Sequence, residues 1–76
     1  MRYEVHSWVA GDVDQMWKTW GRHRAVRLAE DMVRAYRKLN ASEFEVGIFT
    51  AKSLPRMKWY YSAAYEAAGE PPLEYW

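Results

Sequence analysis

The sequence predicts a small α+β domain of ββαββ order: a four-stranded, mainly antiparallel sheet with one amphipathic helix on one face and an extended C-terminal tail. Three observations predict it. Apolar residues recur at the helical period over 22–39, they alternate at period two over 2–10 and 44–50, and the intervening segments carry turn chemistry. Residues 1–69 read as one domain and 70–76 as a Pro-containing tail.

The first strand, 2–10, places Tyr3, Val5, Ser7 and Val9 on one side and Glu4, His6 and Trp8 on the other. Gly11-Asp12-Val13-Asp14 reads as the turn, and 15–20 as a second strand closing a hairpin, with a short helical turn as the competing reading. Over 22–39, Ala25, Leu28, Ala29, Met32, Tyr36 and Leu39 fall within about 100° of one another, the stripe of a helix packed on one side. Arg24, Arg27, Glu30, Asp31, Arg34, Arg37 and Lys38 occupy the opposite arc. Thr19 or Gly21 is the candidate cap at the start, and Asn40 suits a left-handed ending. Phe44–Thr50 is a third strand with Phe44, Val46, Ile48 and Thr50 on one face, and Met57–Ser62 a fourth. Ser62 and Gly69 bracket a short helix, after which Glu70–Trp76 is stiff and extended.

Composition narrows the function classes. A chain of 76 residues buries only about 60% of its unfolded surface, which leaves little room to enclose a catalytic cleft. Half the residues are apolar and 28% are charged, which excludes a disordered or low-complexity segment. Without Cys there is neither a disulfide framework nor a thiolate zinc site. No apolar run is long enough to span a membrane and the first residues lack a signal-peptide core, so a cytoplasmic protein is expected. His6 and His23 lack metal-ligand spacing, and no nucleophile-elbow, P-loop or dinucleotide fingerprint occurs. The Glu4–His6 pair at i,i+2 reads as an accident of strand alternation rather than an acid–base pair. A non-enzymatic chain with no cofactor and no metal is the expectation.

Charge is segregated. Residues 21–39 hold six basic and two acidic side chains, a local +4, and the remainder holds five and eight, a local −3. Arg24, Arg27, Arg34, Arg37 and Lys38 are therefore candidates for electrostatic docking, and guanidinium forks suit carboxylate and phosphate partners. The plainer reading is a solvated face, with Glu30 pairing to Arg34 and Arg27 reaching Glu30 or Asp31.

The five Trp, six Tyr and two Phe raise a geometric problem. A helix of ~27 Å by ~10 Å covers most of one face of a four-stranded sheet and cannot cover both. If it lies on the face carrying Tyr3, Val5, Val46 and Ile48, the reverse face carries Trp8, Phe49, Tyr60 and one of Trp17 or Trp20, with Gly47 making room for a ring. The tail can cover it with Leu73, Tyr75 and Trp76, or a second copy can, or a partner. Trp8, Trp17, Tyr60 and Trp76 are the aromatic candidates for contact.

A very short chain, a minimal α/β pattern, many aromatics and segregated charge together resemble the small inhibitor proteins encoded by phages and mobile elements, the anti-CRISPR type among them. The resemblance is one of general style and implies a stoichiometric blocker of a larger machine. The expected partner is a protein or ribonucleoprotein. Direct nucleic-acid binding through the Arg-rich helix face is the first alternative and a structural homodimer the second.

Overall fold

The computed structural model describes residues 1–76, in the order β1 (Arg2–Val9), β2 (Asp12–Trp20), α1 (Arg22–Lys38), β3 (Phe44–Thr50), β4 (Met57–Ser62), α2 (Ala63–Ala68) and β5 (Leu73–Glu74). The sheet has five strands rather than four, in the order β2-β1-β3-β4-β5, and every pairing is antiparallel. The additional strand comes from the expected tail. Two prolines hold the tail extended, and Leu73 and Glu74 then pair with Tyr60 and Trp59 along the edge of β4.

The first hairpin is tighter than expected. Val9 pairs with Asp12 across a two-residue loop in which Ala10 (φ 51°) and Gly11 (φ 85°) are both left-handed, the conformation whose twist suits a hairpin. β2 therefore begins at Asp12: Gly11 is in the turn as expected, and Asp12, Val13 and Asp14, also expected there, are strand. A bulge leaves Asp14 unpaired between the Trp8–Val13 and Ser7–Gln15 pairs.

α1 starts at Gly21 (φ 83°), which has no side chain to cap the first turn, and ends at Leu39, followed by Asn40 at φ 54°. Its buried residues are Ala25, Ala29, Met32, Val33 and Tyr36. Leu39, expected in the stripe, is exposed because it sits at the helix end. α2 is capped as expected: Ser62 Oγ accepts from the Tyr65 amide at 3.3 Å, and Gly69 closes the end at φ 69°.

The core forms where α1 lies over β1 and β3, and it gathers Tyr3, Val5, Phe44, Val46, Ile48 and Trp59 with the helix stripe. Small Ala25 and Ala29 let the helix approach the sheet closely. A polar chain crosses this layer. The Ser7 hydroxyl donates to the Tyr36 phenol oxygen at 2.6 Å, and Tyr36 donates in turn to Asp14. The bulge brings Asp14 to Tyr36, and burial, reinforced by that carboxylate, pushes the Tyr36 phenol up.

Candidate functional site

Strand alternation and register assemble the face that α1 leaves open. Arg2, Glu4, His6 and Trp8 of β1 align with Trp20, Lys18, Met16 and Val13 of β2, and Glu4, His6 and Trp8 align with Phe49, Gly47 and Glu45 of β3. Tyr60 of β4 lies opposite Gly47, and Leu73 of β5 opposite Tyr60. The centre is a mat of rings: His6 lies 5.2 Å from Phe49 and 5.8 Å from Trp8, and Trp8 meets Phe49 edge-on at 6.2 Å. Gly47 is what lets the Phe49 ring lie down, since a Cβ there would stand 2.9 Å from Phe49 Cε2.

Polar groups are interleaved with the rings. His6 Nε2 is 3.0 Å from Glu4 Oε1, so the i,i+2 pair is in contact. Tyr60 donates to Glu45, and burial together with that carboxylate pushes its phenol up to about 12. The Arg2 guanidinium sits 5.0 Å over the Trp20 ring. The central rings, His6, Trp8 and Phe49, are half-buried against one another, and at the β4 end Tyr60 meets Tyr65 of α2 edge-on at 5.6 Å.

The face runs without a break into the β2 edge. β2 ends the sheet, so its outer row of backbone groups has no strand partner. Of the eight exposed large apolar residues in the chain, four are on this strand: Val13 (66%), Met16 (58%), Trp17 (51%) and Trp20 (58%). Trp17 is opposite Val5 and so projects on the helix side, where its indole N–H donates to Gln15 Oε1 at 2.8 Å. α1 lies over β1 and β3 and leaves β2 outboard, exposed along almost its whole length.

No family model, curated protein or solved structure matches the chain.

The residues singled out from sequence divide among three places. Trp8 and Tyr60 share the open face, together with Trp20, His6, Phe49 and Met16. Trp17 is on the opposite side of the edge strand. Trp76 is remote from both: it packs edge-on against Tyr3 at 5.4 Å, with the Arg22 guanidinium 4.8 Å over its ring. The tail therefore widens the sheet and seals one end of the core, and it does not fold over the aromatic face.

The helix arc also divides. Arg24, Arg27 and Lys38 are exposed and make no ion pair, whereas Arg34 pairs with Asp31, and Arg37 with Glu66 of α2. The Arg34 partner is Asp31, not the expected Glu30, and Arg27 pairs with neither. Hydrogen bonding to Glu66 raises the Arg37 pKa further, so its charge serves the α1–α2 contact. No group of three His, Asp or Glu side chains converges in a way that could hold a metal ion, and no helix is long and apolar enough to cross a membrane.

Proposed function

We propose that this chain is a non-enzymatic binding protein that occupies a surface of a larger protein or ribonucleoprotein partner. The observation that carries this reading is the β2 edge, a nine-residue strand whose outer side is unpaired and which bears large apolar side chains on both faces, continuous with the open ring face. Natural sheets blunt such an edge with brevity, proline, a cover, a bulge or charge; β2 carries the bulge at Asp14 and the charges of Asp12, Asp14 and Lys18, but no proline and no cover over Gln15–Trp20. The occupant that fits is an extended segment of the partner added alongside β2, with Trp17 and Trp20 flanking it from opposite sides. Stoichiometric blocking of a larger machine, as the resemblance to phage-encoded inhibitors implies, is the form this binding would take.

The test is photo-crosslinking from a probe at position 17, followed by reconstitution of the crosslinked pair from purified components. Trp17→Ser with Trp20→Ser should weaken the reconstituted complex at least tenfold without lowering Tm. Unchanged affinity removes the edge from the interface.

A second reading, a homodimer, is favoured by the same open edge: β2 of two copies can pair antiparallel about a two-fold at Met16, which sets Trp17 opposite the Gln15 of a second copy on the helix side. Sedimentation equilibrium at two concentrations separates this from a monomeric binder. Direct nucleic-acid binding would draw on Arg24, Arg27 and Lys38, because Arg34 and Arg37 already have carboxylate partners. Such binding should weaken steeply with salt.

A further inference from the structure

At the end of the sheet where β1 starts and β3 finishes, a cavity of about 370 Å³ is lined by four cations from three parts of the chain: Arg22 at the start of α1, Lys52 and Arg56 in the β3–β4 loop, and Lys58 on β4. Tyr3 and Trp76 form its ring wall. No Asp or Glu lines it, and the ion pairs of the chain, His6–Glu4, Arg34–Asp31 and Arg37–Glu66, use none of these four residues. The whole chain carries only +1, so this concentration of positive charge is local.

The cluster is held by its backbone. Thr50 N donates to Arg56 O at 2.9 Å, Arg56 N donates to Thr50 Oγ1 at 2.9 Å, and Ala51 N donates to Arg2 O at 3.1 Å, which closes the loop that presents Lys52 and Arg56. Arg22 rests on Trp76, and Trp76 on Tyr3. The first turn of α1 adds to the positive potential, since it contains no acidic residue and Gly21 supplies no side-chain acceptor.

We propose that this cavity binds a small phosphorylated anion carrying two or more phosphate groups. A single carboxylate would answer only part of four like charges, whereas two linked phosphates bring about three or more negative charges. The two guanidinium forks suit paired phosphate oxygens, and the two ammonium groups act as point charges beside them. The volume lies within the ~300–1,000 Å³ range of small-molecule sites. Tyr3 is buried, so the half-exposed Trp76 is the ring a nucleobase would reach, and the source is either a nucleoside polyphosphate or an inorganic one.

Calorimetric titration with pyrophosphate, with ATP and with a 5′-phosphorylated oligonucleotide tests the site, while the Trp76 indole resonance reports the location. Pyrophosphate and ATP should bind and shift that resonance. Lys52→Gln with Arg56→Gln should weaken binding at least tenfold. Arg27→Gln with Arg34→Gln, the same charge change on α1, should alter it less than twofold. Lys52→Arg with Arg56→Lys should retain binding, and circular dichroism should show every variant folded. Equal affinities assign an inorganic polyphosphate source, and tighter ATP assigns a nucleotide resting on the rings. Failure of both ligands to bind at millimolar concentration and low salt, equal losses in the two Gln double variants, or binding of the oligonucleotide alone would overturn the proposal.

Discussion

At the scale of single residues, hydroxyl groups decide the most. Ser7 is fully buried and its one side-chain partner is the Tyr36 phenol oxygen. Tyr36→Phe keeps the ring in the core but strands the Ser7 hydroxyl, and it should cost about 1–3 kcal/mol in chemical denaturation. Ser7→Ala combined with Tyr36→Phe should cost less than the sum of the two single changes, because no buried group is then left unpaired. Tyr36 and Tyr60 share a second consequence. The folded state holds each phenolic proton above the ordinary pKa of 10.0, for Tyr60 up to about 12, while the unfolded chain releases it near 10. The unfolded state then binds fewer protons, so stability is level below pH 10 and falls between pH 10 and 12. Denaturation midpoints across that window should show the decline, and the Tyr36→Phe and Tyr60→Phe variants should each lose a late-titrating component of tyrosinate absorbance. Ala10 is the residue least suited to its backbone, since its left-handed φ of 51° is more comfortable for Asn. Ala10→Asn should stabilise the hairpin by about 0.5–1 kcal/mol, read as a rise in the denaturation midpoint.

At the scale of elements, the periodic segments were legible and the register was not. The stripe over 22–39, the alternation in β1 and β3 and the Ser62–Gly69 bracket of α2 follow from local patterns, and each appears in the fold. β5 was not legible, because two residues carry no periodicity and pair only after β4 is in place. Which tryptophan of β2 faces which side could not be read either. With an unbroken register from the Ala10-Gly11 turn, Trp17 would lie opposite Glu4 on the open face. The bulge at Asp14 moves it opposite Val5 and sends Trp20 to the open face. The signal was the polar Asp14 interrupting the strand, which acquires meaning only once Tyr36 is known to reach it. Gly47 belongs to this scale too. Gly47→Ala forces the Phe49 ring to move, and because that ring is on an open face it can swing aside at a cost of about 1 kcal/mol. In the Phe49→Ala background the same change should be nearly neutral in chemical denaturation.

At the scale of the whole molecule, the shortage of cover foreseen from composition is present, and it is larger on β2 than on the reverse face. The partition of arginines required coordinates, since Arg37 meets Glu66 across 29 residues of chain and Arg22 meets Trp76 across the full domain. The basic cavity was invisible for the same reason: Lys52, Arg56 and Lys58 look like loop solvation until Arg22 is placed beside them. Charge reversal at Arg27 and Arg34 together should leave Tm nearly unchanged, because the Arg34–Asp31 pair is exposed. It should abolish partner binding if the helix arc docks, and retained binding would show that the arc is only solvated.

Of the five indoles Trp59 is buried, at 3% exposure, Trp8 and Trp76 are half-buried, and Trp17 and Trp20 stand in water. Trp17 and Trp20 thus give native emission a water-relaxed component that changes little when the chain melts, which blunts the fluorescence change on unfolding. Stability measurements on this molecule belong to circular dichroism. The same optical property is an advantage elsewhere, because a blue shift on mixing with a ligand or with another chain would report directly that the outboard indoles had been dried.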